Sequence, residues 1–235
     1  MGISGGEVVV LLLVEADVEL SSAEQRFAEW IEWSPAQPGV ALLNVDVPSR
    51  GRTRQLDALI WARQRCVVVE VKGFRSRQDG ILVVPPNGPW SMSDGRIADV
   101  YGNSYNHNPI KQVRANTLAM KNWATHTTHQ PCFVYGLVVV MLLPGQNVPS
   151  LDTPAHPEKT DITVEDFDVF RYYLHRLGAQ KVQWTADCVD AMIGRLGPSH
   201  LYGGRRDLLA SALGEQPSHH TVHDVWSTRS PADQD

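Results

Sequence analysis

The stretch that decides the fold is LDALIWARQRCVVVEVKG, residues 56–73, in which two apolar segments flank a short polar one. Both segments are rich in β-branched and aromatic residues, which favours two strands joined by a tight turn. Three charged residues interrupt the apolar pattern: Asp57 near the start, and Glu70 and Lys72 near the end. The stretch therefore predicts a hairpin that carries charges of both signs within a buried sheet.

The register of this hairpin decides whether the charges meet. With residues 63–64 as the turn, Asp57 pairs with Glu70, and paired side chains face the same way. Glu70 and Lys72 also share a face, because side chains alternate along a strand. A bulge in the turn would shift the pairing by one residue and send Asp57 to the other face. Arg-Gln is not a favoured two-residue turn, so both registers stay open.

Two carboxylates at paired positions repel each other, and the sequence offers two kinds of relief. In the first, Lys72 or an arginine such as Arg54 neutralises Asp57 and Glu70 in a purely structural ion pair. In the second, a divalent cation bridges the two carboxylates, and Mg²⁺ is the ion that takes carboxylate oxygens while keeping several waters. Such an ion activates water and polarises a phosphoryl oxygen, and Lys72 would hold the water or stabilise phosphate charge.

The remaining segments place the hairpin in a mixed sheet flanked by helices. Strands are predicted at about residues 40–47, 55–62, 65–72, 79–84 and 132–143, and helices at 21–33, from the cap Asn108, at 163–178 and at 185–196. Short links between the first three strands indicate an antiparallel meander. The order of helices and strands is that of an α/β or α+β fold.

Length, apolar content and net charge limit the kinds of protein that this sequence can be. The chain has 235 residues, 43% of them apolar, which suits one globular domain with an appendage. The net charge of −5 gives no overall attraction to nucleic acid. Basic residues nevertheless cluster locally, at Arg50, Arg52, Arg54, Arg63, Arg65, Lys72, Arg75 and Arg77. This cluster fits either a nucleic-acid contact or a solvated hairpin rim.

The cysteines and the N-terminal region predict the compartment. Cys66, Cys132 and Cys188 lack zinc-ligand spacing and read as buried residues in a reducing environment. The apolar run Val8–Val14 is too short to span a bilayer. A signal peptide requires a positively charged start, and no basic residue precedes Arg26. We therefore expect a cytoplasmic protein without membrane contact.

Four segments together resemble a known family. Asp57, followed after twelve residues by Glu70-Val71-Lys72, resembles the D…ExK signature of the PD-(D/E)XK nuclease superfamily. More narrowly, residues from about 20 to 125 resemble the nuclease-related domain (NERD), through SAEQRF, QLDALI, VVVEVKG and NPIKQV in that order. The resemblance implies an α/β, restriction-endonuclease-like core: a mixed β-sheet with an antiparallel meander, flanked by helices.

The resemblance also implies roles for individual residues. Asp57 and Glu70 would be ligands of Mg²⁺ (or Mn²⁺), with the backbone carbonyl of Val71 as a third ligand. Lys72 would be the catalytic lysine, and the phosphate backbone would be bound by basic side chains at Arg52, Arg54, Arg75, Lys111 and Arg114.

Two auxiliary catalytic residues are implied as well, and each has a structural alternative. Glu24 would be an additional acidic residue, yet Ser21-x-x-Glu24 is also a capping box that needs no catalytic role. Gln112 would be a helix-borne group near the site, although an exposed glutamine there needs no functional explanation.

The loop at residues 85–106 is long and irregular, which is often functional. Its aromatic residues Trp90, Tyr101 and Tyr105 are of the type that stacks on single-stranded bases. We expect at least two of the three to pack the loop against the protein instead.

The leading hypothesis is a Mg²⁺-dependent nuclease that hydrolyses phosphodiester bonds, with DNA as its partner. The alternative is a non-catalytic module on the same scaffold that binds nucleic acid or protein. Either is compatible with a homodimer. The predicted domains are an N-terminal arm or extra strand (1–18), the nuclease-like domain (19–145), a C-terminal helical extension (146–197) and a polar, disordered tail (198–235).

Overall fold

A six-stranded mixed sheet forms the centre of the fold, and the quoted hairpin supplies two of its inner strands. The computed structural model describes residues 10–15, 17, 19–32, 38–153, 160–176 and 181–215. In chain order the strands are β1 (Val10–Leu13), β2 (Gly39–Ser49), β3 (Arg52–Ala62), β4 (Arg65–Gly73), β5 (Ile81–Val83), β6 (Ser91–Met92), β7 (Val134–Met141), β8 (Ser150–Asp152) and β9 (Thr160–Val164).

The main sheet has the order β1-β2-β3-β4-β7-β9. Strands β2, β3 and β4 are antiparallel to one another, whereas β1, β7 and β9 each join in parallel. The predicted mixed sheet with an antiparallel meander is thus confirmed. A separate small sheet has the order β6-β5-β8.

Helices cover both faces of the main sheet. They are α1 (Ser22–Glu32), α2 (Pro109–Thr128), α3 (Phe167–Arg176), α4 (Ala186–Leu196) and α5 (Arg206–Ala212), with a 3₁₀ helix at Pro198–Tyr202. One core cluster joins α1 and α3 to the sheet, and the other joins α2, α4 and α5 to its opposite face. Within the described residues, no helix combines the length and apolar character needed to cross a membrane.

Strand β4 contributes to both cores, which explains why its sequence is almost continuously apolar. Cys66 and Val68 pack in the α2 cluster, and Val67 and Val69 pack in the α1 cluster. A strand covered on both faces reads as an apolar run without alternation. By the same alternation Glu70 lies on the α2 face, where a charged side chain needs partners.

The predicted hairpin register is confirmed as far as the ladder extends. Ala62 pairs with Arg65 and Ala58 with Val69, around a turn at residues 63–64, so the bulged alternative is wrong. The ladder ends one pair short of Asp57 and Glu70, while β3 stays paired with β2 out to its first residue. Strands β3 and β4 therefore separate at the two carboxylates.

Beyond Asn44 and Asp57, the side chains of the β2–β3 hairpin switch to the opposite faces of the sheet. Leu43 and Ala58 pack in the α1 cluster, but Val45 and Leu56 pack in the α2 cluster, which strict alternation forbids. Asn44 lies between them with a left-handed backbone (φ 49°), a conformation that asparagine tolerates better than most residues. This twist accompanies the separation of β3 from β4.

Helix α2 begins as the sequence predicts. The Asn108 side chain accepts hydrogen bonds from the N–H groups of Ile110 (2.8 Å) and Lys111 (3.2 Å), and proline follows at the first helical position. The helix lies close to β7 because Gly136 has no side chain. A Cβ at that position would be 2.7 Å from the Thr117 hydroxyl oxygen.

Two predictions for the C-terminal half are wrong. The helix expected from Thr163 starts at Phe167, because the β-branched run Thr160–Val164 extends the sheet as β9 and Asp166 caps the helix through the N–H of Val169 (3.0 Å). The extension predicted at 146–197 is therefore not purely helical.

The disordered tail predicted at 198–235 is also wrong for its described part. Residues 198–215 form the 3₁₀ helix and α5, with Leu209 and Leu213 fully buried. The Tyr202 hydroxyl donates a hydrogen bond to the carboxylate of Asp190 (2.6 Å) and fixes this segment to α4. Residues 216–235 lie outside the described chain, as do residues 1–9 of the predicted arm.

Candidate active site

The opening between β3 and β4 is occupied by the side chain of Asp57. Its Oδ2 accepts a hydrogen bond from the backbone N–H of Val71 at 2.7 Å. A carboxylate thus takes the place of strand backbone as the partner of this N–H group. Asp57 can occupy this opening because the β3–β4 ladder ends at the pair Ala58 and Val69.

Glu70 lies behind Asp57 with 0% of its surface exposed. Lys72 Nζ is 2.5 Å from Glu70 Oε1, and Asn116 on α2 donates from Nδ2 to Oε2 at 3.3 Å. Both carboxylate oxygens therefore have a partner. Of the two structural counterions considered, the structure places the lysine on Glu70, whereas Arg54 contacts Asn116.

Burial of two neighbouring carboxylates alters their titration. Burial first, then the charge of Glu70, raises the pKa of Asp57 to about 7, although Lys72 and the Val71 N–H oppose the shift. Burial likewise raises the pKa of Glu70, and Lys72 partly offsets it. The site thus holds more negative charge than its own cation neutralises, a property that functional sites often share.

Asp57, Val71 and Lys72 line a surface pocket of about 530 Å³. The pocket lies between the start of α1 and the ends of β4 and β7. Its remaining lining is Ser21, Ser22, Ala23, Glu24, Arg26, Gly73, Phe74, Tyr101, Met141, Leu142, Leu143 and Pro144. Solvent and a ligand can therefore reach Asp57 and Lys72, whereas the buried Glu70 does not line the pocket itself.

Glu24 forms the predicted capping box and also lies at the pocket. It forms the capping box, because its Oε2 accepts from the Ser21 N–H (2.7 Å) and its own N–H donates to Ser21 Oγ (3.3 Å). It also lines the pocket, and its charge contributes to the raised pKa of Asp57. An acidic residue is therefore fixed at the rim by helix capping.

Gln112 contacts His107 and not the acidic pair. Its Oε1 lies 2.7 Å from Nε2 of His107. His107 in turn adjoins Gly102, whose Cβ position would be 3.6 Å from the His107 ring and 3.5 Å from Lys72 Nζ. Gln112 thus reaches the rim of the pocket through two intervening residues.

The α2 side chain that contacts Glu70 is Asn116, which was not among the residues predicted for the site. Asn116 is 3% exposed, and its amide also contacts the carbonyl of Gln55 (3.4 Å). A signal for it existed: Asn116 follows Val113 by three residues and precedes Met120 by four, so it lies on the apolar stripe of α2. A polar residue on a buried stripe indicates a buried hydrogen-bond partner.

We expect Asn116→Ala to lower the free energy of unfolding by about 1–3 kcal/mol, because it removes a donor from a buried carboxylate. Asn122→Ala on the same helix is the matched control, since Asn122 is exposed and should change stability by less than about 0.5 kcal/mol. Equilibrium urea unfolding measures both, and equal stabilities for the two variants would contradict the assigned contact.

Two of the predicted nucleic-acid-binding arginines lie near the acidic pair. Arg54 is half-buried, and its guanidinium is 3.5 Å from the Asn116 carbonyl oxygen. Arg75 is exposed, pairs with Asp99 (2.7 Å) and lies over the ring of Tyr101 at 5.6 Å.

The other three basic residues lie in two different surface depressions. Arg52, at the end of the β2–β3 hairpin, lines one together with Trp123 and His126. Lys111 and Arg114 are exposed on α2 and line another, together with Lys121, Thr117, Leu118 and Phe133. The structure therefore does not gather the five residues into one patch.

The donor set of the site fits a hard cation of the Mg²⁺ type. Within the described ranges, no three His, Cys, Asp or Glu side chains are grouped as metal ligands. Structural zinc sites need four protein ligands, whereas Mg²⁺ is held by one or two carboxylates and keeps its waters. Asp57 and Glu70 are such a pair, because Lys72 alone does not neutralise both carboxylates. Val71, next to Glu70 on β4, adds a backbone carbonyl.

Comparison with protein families finds one match. The family model described as the nuclease-related domain matches residues 20–141, just over half of the 235 residues. Comparisons with curated proteins and with solved structures give no match. The matched range runs from the start of α1 to the end of β7 and contains the acidic pair, Lys72 and Asn116. The resemblance seen in the sequence is confirmed, and the chain belongs to the nuclease-related domain family.

Proposed function

We propose that the protein is a Mg²⁺-dependent nuclease that hydrolyses phosphodiester bonds in DNA. The observation that carries the proposal is the meeting of Asp57, Glu70 and Lys72 where β3 separates from β4. Lys72 contacts Glu70, and both Asp57 and Lys72 line an open pocket. Membership of a nuclease-related family supports the same chemistry.

Each group has a separate task in this proposal. Asp57, Glu70 and the Val71 carbonyl would hold the ion, which, when bound, lowers the pKa of water and polarises a phosphoryl oxygen. The raised pKa of Asp57 means that it releases a proton when it becomes a ligand. Lys72 lines the same pocket and donates to the attacking water or to a phosphate oxygen.

One observation favours the rival function, a non-catalytic binding module. The ion pair between Lys72 and Glu70 neutralises the buried carboxylate without any metal. A site that is complete in this state would bind a partner and leave DNA intact. Metal binding and DNA cleavage therefore have to be measured separately.

Titration calorimetry with Mn²⁺ tests the metal site. We expect the wild type to bind Mn²⁺ and Glu70→Gln to bind it at least about tenfold more weakly, because a charged ligand is lost. Glu29→Gln, the same change at an exposed position of α1, should keep the wild-type affinity. Equal affinities for all three proteins, or no binding by the wild type, would count against the site.

Cleavage of labelled DNA tests the reaction itself. We expect the wild type to cut DNA in Mg²⁺, and we expect EDTA or the substitution Asp57→Ala to stop the cutting. If DNA stays intact with the folded wild type in both Mg²⁺ and Mn²⁺, the binding module becomes the better description. If Asp57→Ala cuts as well as the wild type, the proposed chemistry is wrong.

A further inference from the structure

Tyr101 is an exposed aromatic residue fixed beside the acidic pair. Its side chain is 60% exposed and lines the same pocket as Asp57 and Lys72. Its backbone N–H donates to the carbonyl of Gly73 at 2.9 Å, which ties it to the end of β4. The residue after it, Gly102, lies against Lys72, with only 3.5 Å between the Cβ position and Nζ. The backbone of Tyr101 is therefore fixed at the end of β4, while its ring stays largely exposed.

A cation lies over the ring of Tyr101. The Arg75 guanidinium is 5.6 Å from the ring centroid, within the range of a cation–π contact. Arg75 is itself held by Asp99 (2.7 Å), and Asp99 also accepts from the Ser76 hydroxyl (2.5 Å). An aromatic surface thus comes together with positive charge, the combination that binds a base and its phosphate.

The other aromatic residues of the 85–106 loop behave differently. Trp90 is fully buried and packs the loop, whereas Tyr105 is 79% exposed and lies outside the lining of the pocket. The expectation that at least two of the three pack the loop is therefore wrong. Of the three, Tyr101 is the exposed aromatic residue that lines the pocket.

Another part of the pocket lining is apolar and rigidly held. Leu142, Leu143 and Pro144 continue the chain beyond β7. Glu165 accepts from the Leu142 N–H (2.5 Å), and Arg26 on α1 donates to the Leu142 carbonyl and pairs with Glu165. A volume of about 530 Å³ with an apolar wall and an aromatic ring exceeds what a metal ion and its waters require. It suits the flat, apolar faces of a nucleobase.

We propose that this pocket receives one unpaired base, stacked on Tyr101, so that the adjoining phosphate lies at Lys72, and that the preferred substrate is single-stranded DNA. This inference rests on the proposed nuclease function. Within a duplex the faces of each base are covered by its neighbours, and a base reaches an aromatic side chain only after unstacking. A single strand offers its bases to the ring without that cost.

Fluorescence anisotropy of the full chain with a labelled 12-nucleotide strand, in EDTA so that nothing is cut, tests the inference. We expect tighter binding of the single strand than of the matching duplex. Tyr101→Ala should weaken single-strand binding by about 5- to 150-fold, the range for loss of one stacked base. Tyr101→Phe should retain binding, and Tyr105→Ala, from the same loop, should leave it unchanged.

A base analogue reports the stacking directly. The fluorescence of 2-aminopurine in the bound strand should be quenched by the wild type and by Tyr101→Phe, but not by Tyr101→Ala at saturating protein. Thermal unfolding confirms that the variants fold. Wild-type affinity and quenching with Tyr101→Ala, or equal binding of duplex and single strand, would overturn the inference.

Failure of this inference is distinguishable from failure of the nuclease function. Cleavage that needs Mg²⁺ and Asp57 but is indifferent to Tyr101 would keep the function and remove the base pocket. Single-strand binding that depends on Tyr101, without any cleavage, would keep the pocket and remove the nuclease.

Discussion

Lys72→Met is expected to lower the rate of DNA cleavage by about 10²–10⁴-fold, the usual effect of losing a positioned acid–base group. The substitution removes the only positive group that contacts Glu70 in the described structure, but it leaves both carboxylates in place. Mn²⁺ affinity should therefore stay within a few-fold of the wild type. This separation of cleavage from metal binding is what a catalytic role for Lys72 requires.

A change in stability has to be separated from the change in rate. Lys72 is 11% exposed, and Glu70 is fully buried, so removal of the lysine leaves a buried carboxylate without its cation. Breaking such a pair costs about 3–5 kcal/mol when the remaining group stays charged, and less when it takes up a proton. The cleavage assay is therefore run well below the unfolding temperature of the variant.

Lys111→Met is the matched control for this prediction. Lys111 is exposed on α2 and lines a different depression, so its loss should leave cleavage chemistry almost unchanged and weaken DNA binding at most slightly. A Lys72→Met protein that folds, binds Mn²⁺ and cuts at the wild-type rate would contradict the catalytic role.

Asp57→Asn is expected to stabilise the metal-free protein at pH 8 by about 2–4 kcal/mol. The pKa of Asp57 rises from 3.8 to about 7 on folding, so the folded state holds the proton more tightly than the unfolded state. The stability from this proton is fully present below pH 3.8 and is lost as the pH rises through about 7. Asparagine keeps an oxygen that accepts from the Val71 N–H but never acquires the charge.

Urea unfolding in EDTA at several pH values between 5 and 8 measures this difference. The advantage of Asp57→Asn over the wild type should be smallest at the low end and grow towards pH 8. Asp46→Asn, on the neighbouring strand β2 and exposed, should show no such growth. A constant difference, or one that shrinks with rising pH, would contradict the raised pKa. Added Mg²⁺ should stabilise the wild type and not the variant, because an ion that binds only the folded state raises stability.

The parts of the fold that local pattern controls were predictable from the sequence. The hairpin follows from two apolar segments around a short polar one, although the sequence leaves two registers open, and the start of α2 follows from Asn108 and Pro109. These features depend on neighbours in the chain, which the sequence displays directly.

The features that the sequence did not reveal depend on distant contacts. The last two residues of β9, Thr163 and Val164, precede an amphipathic segment and are therefore predicted as part of its helix, and only pairing with β7 decides their conformation. Residues 198–215 look polar, yet their few apolar side chains are buried against α4 and the sheet. Burial of Asn116 against Glu70 likewise depends on how α2 crosses the sheet.

The site itself was predictable only in outline. The carboxylates and lysine were identified by their spacing, but the separation of β3 from β4 and the reversal of faces at Asn44 have no signature in the apolar pattern. Whether Tyr101 or Tyr105 adjoins the pocket depends on the path of the loop, which the contact between the Tyr101 N–H and Gly73 fixes.

The contact between Asn116 and Glu70 depends on the close packing of α2 against Gly136, a residue without a side chain. A larger residue would clash with the Thr117 hydroxyl, and an outward shift of that turn would carry the adjacent Asn116 away from Glu70. An added methyl group at Gly136 would thus act on Glu70 indirectly, through Thr117 and Asn116. For the proposed nuclease we therefore expect that a substitution at this glycine, which contacts neither carboxylate, lowers the rate of cleavage.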